Sequence, residues 1–374
     1  MSIARTERAS LRKERYPETN ENQAPTVLFL PESEVSLTTG ATETVVLTDS
    51  SDSSDENDEP TITDTGSTCT LLTSNTMYSV ERFTDDNTAF KYLTGFEGYE
   101  HFKMMLSVLG PAAYELSYSS KKLSVENELF LTLMKLRTAK DDYQLALDFG
   151  IDRSTVSRIF RVWINFMYFE LTELDFWPDR DIINEHFPKN FQKMFPTTRV
   201  ILDATEIFIE RPKNCDAQKV TFSTYKHHNT LKTMIGISPR GLVTYISPSY
   251  GGSASDRQII ERSVLTQTDG LFEDGDSIMS DRGIMVQDLF SHRNITVVTP
   301  TTMKGKCQLD GKTVIKDRRI ASKRIHVERI IGYAKGFKIL KKTLPHSKVI
   351  FGSRITTVCF LLTNFRTNIV GIDA

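Results

Sequence analysis

Along the first 75 residues the apolar positions keep no sustained period of 2 or 3.6; Thr, Ser, Glu and Pro dominate, and Asp49–Pro60 is acidic and serine-dense. Such a stretch buries too little apolar surface to offset chain entropy, so residues 1–75 are expected to be a disordered tail. Order is expected from about Met77–Phe90. Phe96, Tyr99, Phe102, Met105 and Leu106 then follow helical spacing up to Gly110-Pro111. A stronger helix is predicted over Val125–Lys140, with Leu129, Leu133 and Leu136 turned inward.

The stretch Asp141–Trp163 holds Ala146, Gly150 and Val156 in the order a helix-turn-helix needs. These supply a small residue where two helices cross, a glycine for the tight turn and an apolar anchor for the second helix. Asp152 stands at the N-cap position of that helix. Val156, Ile159, Phe160, Trp163 and Phe166 share one face. Ser154, Ser157, Arg158 and Arg161 share another, with Arg153 at the tip, a pattern suited to phosphate and major-groove contact. A plain helical hairpin would show the same Ala/Gly/Val spacing.

The second helix is predicted to run on to Leu174. Past Trp177-Pro178 a connector is expected over 179–198, and then the period changes. Val200–Ile209 reads as a strand; Thr230–Ser238 and Leu242–Ser247 read as two more, joined across Pro239-Arg240-Gly241. Ser255–Ser263 is a short helix, Asp276–Ser280 and Ile295–Val298 are strands, Lys316–Leu340 is a long basic helix, and Ile355–Phe365 closes the chain as an amphipathic helix. This order gives an α+β protein with a tail (1–75), a helical domain (76–178), a connector and one mixed sheet with flanking helices (199–374).

Charge sharpens that division. The net charge is −2, yet residues 1–100 carry 7 Lys+Arg against 19 Asp+Glu, and residues 302–374 carry 16 against 4. A basic end of this kind suits contact with a polyanion, although a solvated helical face would look alike. No apolar run approaches the length of a membrane span, and the charged Met1–Arg15 segment lacks a signal-peptide core, so neither a membrane protein nor a secreted one is expected. Cys69, Cys215, Cys307 and Cys359 lie far apart with no C-x-x-C pair, which supports neither a disulfide framework nor a zinc module.

Three acids stand out by position. Asp203 lies inside an apolar strand, Asp281 ends a strand ahead of a glycine turn, and Glu328 sits within a helix whose exposed residues are mostly basic. A lone acid in a central strand is costly unless paired, hydrogen-bonded or bound to metal. Clustered, the three would repel one another without a cation. With Mg²⁺ or Mn²⁺ they form an all-oxygen site, and two ions about 3.5–4 Å apart would activate an attacking oxygen and stabilise a leaving one. Taken singly, each reads more readily as a surface or ion-paired residue, Asp203 with a nearby Arg and Glu328 with Arg324; it is their combination that points to a site. On the helix Ala321, Ile325, Val327, Ile331 and Ala334 are expected to pack inward, while Arg324, Glu328 and Lys335 share another face, where Arg324 and Lys335 would hold a DNA backbone. Asp256, after Gly251-Gly-Ser-Ala-Ser255, caps the following helix, binds metal or supports a ligand. His227, His228 and His326 are read as structural.

Thr224–Thr230, Gly251–Asp256, Ser280–Gly283 and Ile320–Ile330 together resemble the DDE superfamily endonucleases of the PIF/Harbinger transposase group, and the segment from about Glu126 to Trp177 looks like the helix-turn-helix that precedes their nuclease. The resemblance implies an RNase H-like nuclease domain that uses a divalent metal. Asp203, Asp281 and Glu328 match the catalytic acids, and Asp256 matches a further acidic position that contributes to metal binding in the family. It implies a nuclear, metal-dependent DNA endonuclease with transposase-like chemistry. A separate DNA-binding partner protein and a homo-oligomer are left open. The alternative is a catalytically retired, transposon-derived DNA-binding or regulatory protein.

Overall fold

The computed structural model describes residues 78–303 and 308–374. The expected tail, with its acidic run, lies outside the described residues. Helical structure comes first. Asn87–Thr94 and Tyr99–Leu109 lead into α1 (Val125–Thr138), α2 (Asp142–Phe149) and α3 (Arg153–Glu173). Ser124 caps α1 by accepting from the Asn127 amide, and Asp141 caps α2 through Tyr143 and Gln144. Gly150 takes the left-handed conformation that the turn between α2 and α3 requires, at φ +62°. Ala146 and Val156 are buried on either side of it, as the spacing predicts. Asp152 does occupy the N-cap of α3, but its side chain makes no capping hydrogen bond.

The sheet contains β1 (Thr198–Phe208), β2 (Phe222–Ser223), β3 (His228–Ile237), β4 (Val243–Ile246), β5 (Tyr250–Gly251), β6 (Ser277–Ser280) and β7 (Thr296–Val298). β1 is central: β3 pairs antiparallel on one side and itself carries β4, while β6 and then β7 add in parallel on the other. The order β4-β3-β1-β6-β7 is the RNase H-like arrangement, in an α+β protein whose helix-turn-helix precedes the sheet. One apolar core runs from Phe90, Phe130 and Trp163 of the helical region to Ile201, Ile235 and Ile237 on one face of the sheet; a smaller one, with Val200, Leu202, Met234 and Phe290, covers the other face. α4 (Gly311–Ala334) and α5 (Gly352–Leu361) pack on the first face, and α5 also lies along α3.

Three expectations shift. The connector holds two short helices, Arg180–Glu185 and Lys189–Met194, each too brief to show a period. α4 begins at Gly311 because Asp310 caps it through the Thr313 amide, and it stops before Lys335-Gly336, so Lys338–Leu340 is a separate 3₁₀ turn. Its buried face is Ile320, Lys323, His326, Val327, Ile330, Ile331 and Ala334, whereas Ala321 and Ile325 are exposed. Among the described residues no helix is long and apolar enough to cross a membrane.

Candidate active site

Register brings the first two acids together. Parallel pairing sets Leu202 beside Ser280, so the next residue on each strand, Asp203 and Asp281, continues the match. Asp203 shares its face of β1 with Ile201, toward α4, because side chains alternate along a strand. α4 packs across β1 and β6 with Val327 and Ile331 buried, and Arg324 and Glu328, one turn apart on it, stand by Asp203 in the middle of β1 and by Asp281 just past the end of β6.

Arg324 stands among all three acids. Its Nη2 lies 2.5 Å from Glu328 Oε1, its Nε 3.7 Å from Asp281 Oδ1 and its Nη1 3.8 Å from Asp203 Oδ2. The guanidinium is therefore tightly bonded to one carboxylate and within charge range of two. Asp203 receives one hydrogen bond, from the Ala204 amide at 2.9 Å. Burial pushes the Asp203 carboxyl up to about 6; Arg324 and the Ala204 amide pull against that, while Asp281 and Glu328 add to it. Lys335, just past the end of α4, has its pKa lowered by burial and by Lys226, with Glu206 and Asp203 opposing. So Asp203, Asp281, Glu328 and Arg324 come together where β6 ends beside the middle of β1, and Lys335 lies within charge range of Asp203.

Asp256 is elsewhere. Its Oδ1 pairs with Lys232 Nζ at 3.5 Å, and that ammonium lies 3.8 Å from Glu206 Oε1. Glu206 faces Lys232 across β1 and β3, on the face of Met234 rather than that of Asp203. Thr230 Oγ1 donates to Glu206 at 2.7 Å. Asp256 is not the helix cap: Ser255 is, in a capping box with Gln258. The glycines before it permit close packing, since a Cβ on Gly252 would fall 2.1 Å from Thr230 Oγ1. Glu206 and Lys232 escape sequence reasoning because a cross-strand pair is defined only once the register is known. His326 is buried and lies 3.2 Å from the Pro239 carbonyl, a structural contact.

On α3 the Arg/Ser face divides. Arg153, Ser154, Ser157 and Arg161 line a cleft against Ser347 and Lys348, whereas Arg158 turns away to sit over the Tyr118 ring at 5.8 Å.

Among the described residues no three His, Cys, Asp or Glu side chains converge at metal-binding distance. The donors nonetheless fit a hard divalent cation, because three carboxylates surround a positive group and one of them is held above its ordinary pKa. Arg324 occupies the centre of the three carboxylates. What the arrangement offers chemically is a concentrated negative site, open at Asp281 and Glu328, beside basic side chains.

Comparison with known families follows the same division of the chain. Residues 121–173 match the helix-turn-helix of DDE superfamily endonuclease, and residues 202–364 match the DDE superfamily endonuclease domain itself. No curated protein matches the chain. The first match covers α1, α2 and α3, and the second contains Asp203, Asp281 and Glu328. In two successive segments the chain is thus similar to the helix-turn-helix and to the nuclease domain of DDE superfamily endonucleases.

Proposed function

We propose that this protein is a divalent-metal-dependent DNA endonuclease of the PIF/Harbinger type, acting in the nucleus. The observation that carries the reading is the gathering of Asp203, Asp281 and Glu328 around Arg324 where β6 ends beside the middle of β1, within the family-matched segment. Asp203, Asp281 and Glu328 would hold Mg²⁺ or Mn²⁺, which when bound supplies an activated attacking oxygen and stabilises the leaving one. Asp203 is fixed by the Ala204 amide and by the sheet, so it orients the site. Glu328 and Asp281 are half-exposed and adjust around it. Arg324 neutralises the acids and would be free to meet a DNA phosphate were a cation held by them, and Lys335, within charge range of Asp203, would hold a second phosphate farther along. Asp256 is held by Lys232 and supports the strand ends from the other face.

A second reading, DNA binding without cleavage, is favoured by one observation: Arg324 fills the centre of the three acids. Nicking of supercoiled plasmid with Mn²⁺ separates the two. Cleavage by wild type and none by Asp203→Ala or Glu328→Ala supports the nuclease. Equal inertness of all three, with salt-dependent DNA binding retained, supports the second reading.

A further inference from the structure

The face of α3 expected to read DNA does not project freely. It forms one wall of a cleft of about 430 Å³, and the other wall belongs to the nuclease region, at Ser347 and Lys348. Arg153 and Arg161 have no acidic partner among the described residues. Lys348 is tied into the helical region, its Nζ 3.3 Å from Asp142 Oδ1 and 5.7 Å from the Phe160 ring centroid. Asp142 also pairs with the buried Lys135, so a single carboxylate is shared by two ammonium groups. Burial opposes the charge on Asp142, and the two lysines outweigh it, leaving its pKa below the ordinary value. The cleft therefore keeps a net positive charge inside a concave, partly apolar wall, where low dielectric focuses the field.

We propose that this cleft grips one sugar-phosphate strand of the DNA, with Lys348 and Ser347 contributing from the nuclease side. Rigid guanidinium forks from Arg153 and Arg161 meet phosphate oxygens on one side of the strand. The Ser154, Ser157 and Ser347 hydroxyls donate to others, and the Lys348 ammonium closes the opposite side. The volume lies in the range of a site for one small molecule, which suits a nucleotide unit and leaves no room for a duplex between the walls. α3 then contacts the backbone of one strand edge-on, and the two regions hold DNA as one surface. The inference rests on the DNA-binding reading above and extends it to residues outside the helix-turn-helix.

The test uses the full chain and fluorescence anisotropy with a labelled DNA oligonucleotide, single-stranded and duplex, over a range of salt. Lys348→Ala and Ser347→Asp are expected to weaken binding about three- to tenfold, and Lys348→Ala to lower the salt slope by about one. Lys348→Arg keeps the wild-type affinity and slope. Ser347 is exposed, so Ser347→Asp reports on the cleft even if loss of the Lys348–Asp142 pair loosens the fold. If the Arg153→Ala/Arg161→Ala double variant binds weakly while Ser347→Asp and a folded Lys348→Ala bind as wild type, the shared cleft is wrong and the helix-turn-helix reading stands. If wild type itself shows no salt-dependent binding to either DNA, both readings fall. Displacement by inorganic phosphate alone, with no difference among variants in DNA binding, also overturns the proposal.

Discussion

Glu128 and Asp203 are withdrawn from water in different ways. Glu128, inside the helical region, is 1% exposed and receives directed hydrogen bonds from the Ser120 amide and from Trp163 Nε1, the latter at 3.0 Å. Asp203, in the middle of β1 beside the end of β6, has one amide donor, a guanidinium 3.8 Å away and two further acids nearby. Burial raises the pKa of both. In the first case fixed donors hold the carboxylate and tie α1 to α3. In the second the surroundings leave the charge in want of a cation. A buried acid that is fully bonded stabilises a fold, and one left short of partners is a site.

The largest effect expected to separate them is on DNA cleavage. Asp281→Ala should lower plasmid nicking about 10³-fold or more, whereas Glu128→Gln should leave it within a few-fold of wild type where the protein is folded. Equal losses in both would end the contrast. Next comes stability. Glu128→Ala strands the buried Trp163 indole and the half-buried Ser120 amide and should cost about 3 kcal/mol in urea melts, with little dependence on divalent ions.

Asp203→Asn is expected to do the opposite in metal-free buffer. A carboxyl raised to about 6 in the fold binds protons more tightly than the unfolded chain does, so it costs stability above that pH and nothing below the ordinary value. The variant should gain about 1–2 kcal/mol at pH 7, and the gain should vanish by about pH 4. Mn²⁺ should raise the melting temperature of wild type and not of Asp203→Asn. The smallest effect concerns Arg324. Its removal should lower metal-free stability by about 1 kcal/mol while raising Mn²⁺ affinity in calorimetry, because the competing internal cation is gone. An unchanged affinity would show that Arg324 is not in the cation's place.

Much of this was readable in the sequence where a single element decides the outcome. α1, the turn at Gly150, α3 with its buried face and the central strand with Asp203 all follow from local period and capping. α4 was harder. It carries isoleucines on several sides, and its buried face includes Lys323, which lies 5.8 Å from the Phe191 ring centroid, a placement that no polarity pattern signals. Exposed Ile325 and buried Ile330 are alike in type, and only the packing partner distinguishes them. The three acids could be picked out singly because each breaks its own context. That Arg324 would touch all of them, and that Asp256 would join Lys232 on the other face, depends on strand register and helix docking, which arise between elements.

The packing of α5 along α3 has a consequence for a chain still being made. Arg354 of α5 reaches Asn165 of α3 at 2.5 Å, so the long helix of the helix-turn-helix receives part of its cover from residues synthesised well after it. Glu328 also arrives late, long after Asp203 and Asp281. A chain made only as far as Asp281 therefore has neither a covered α3 nor a complete set of acids, and both come together as α4 and α5 dock.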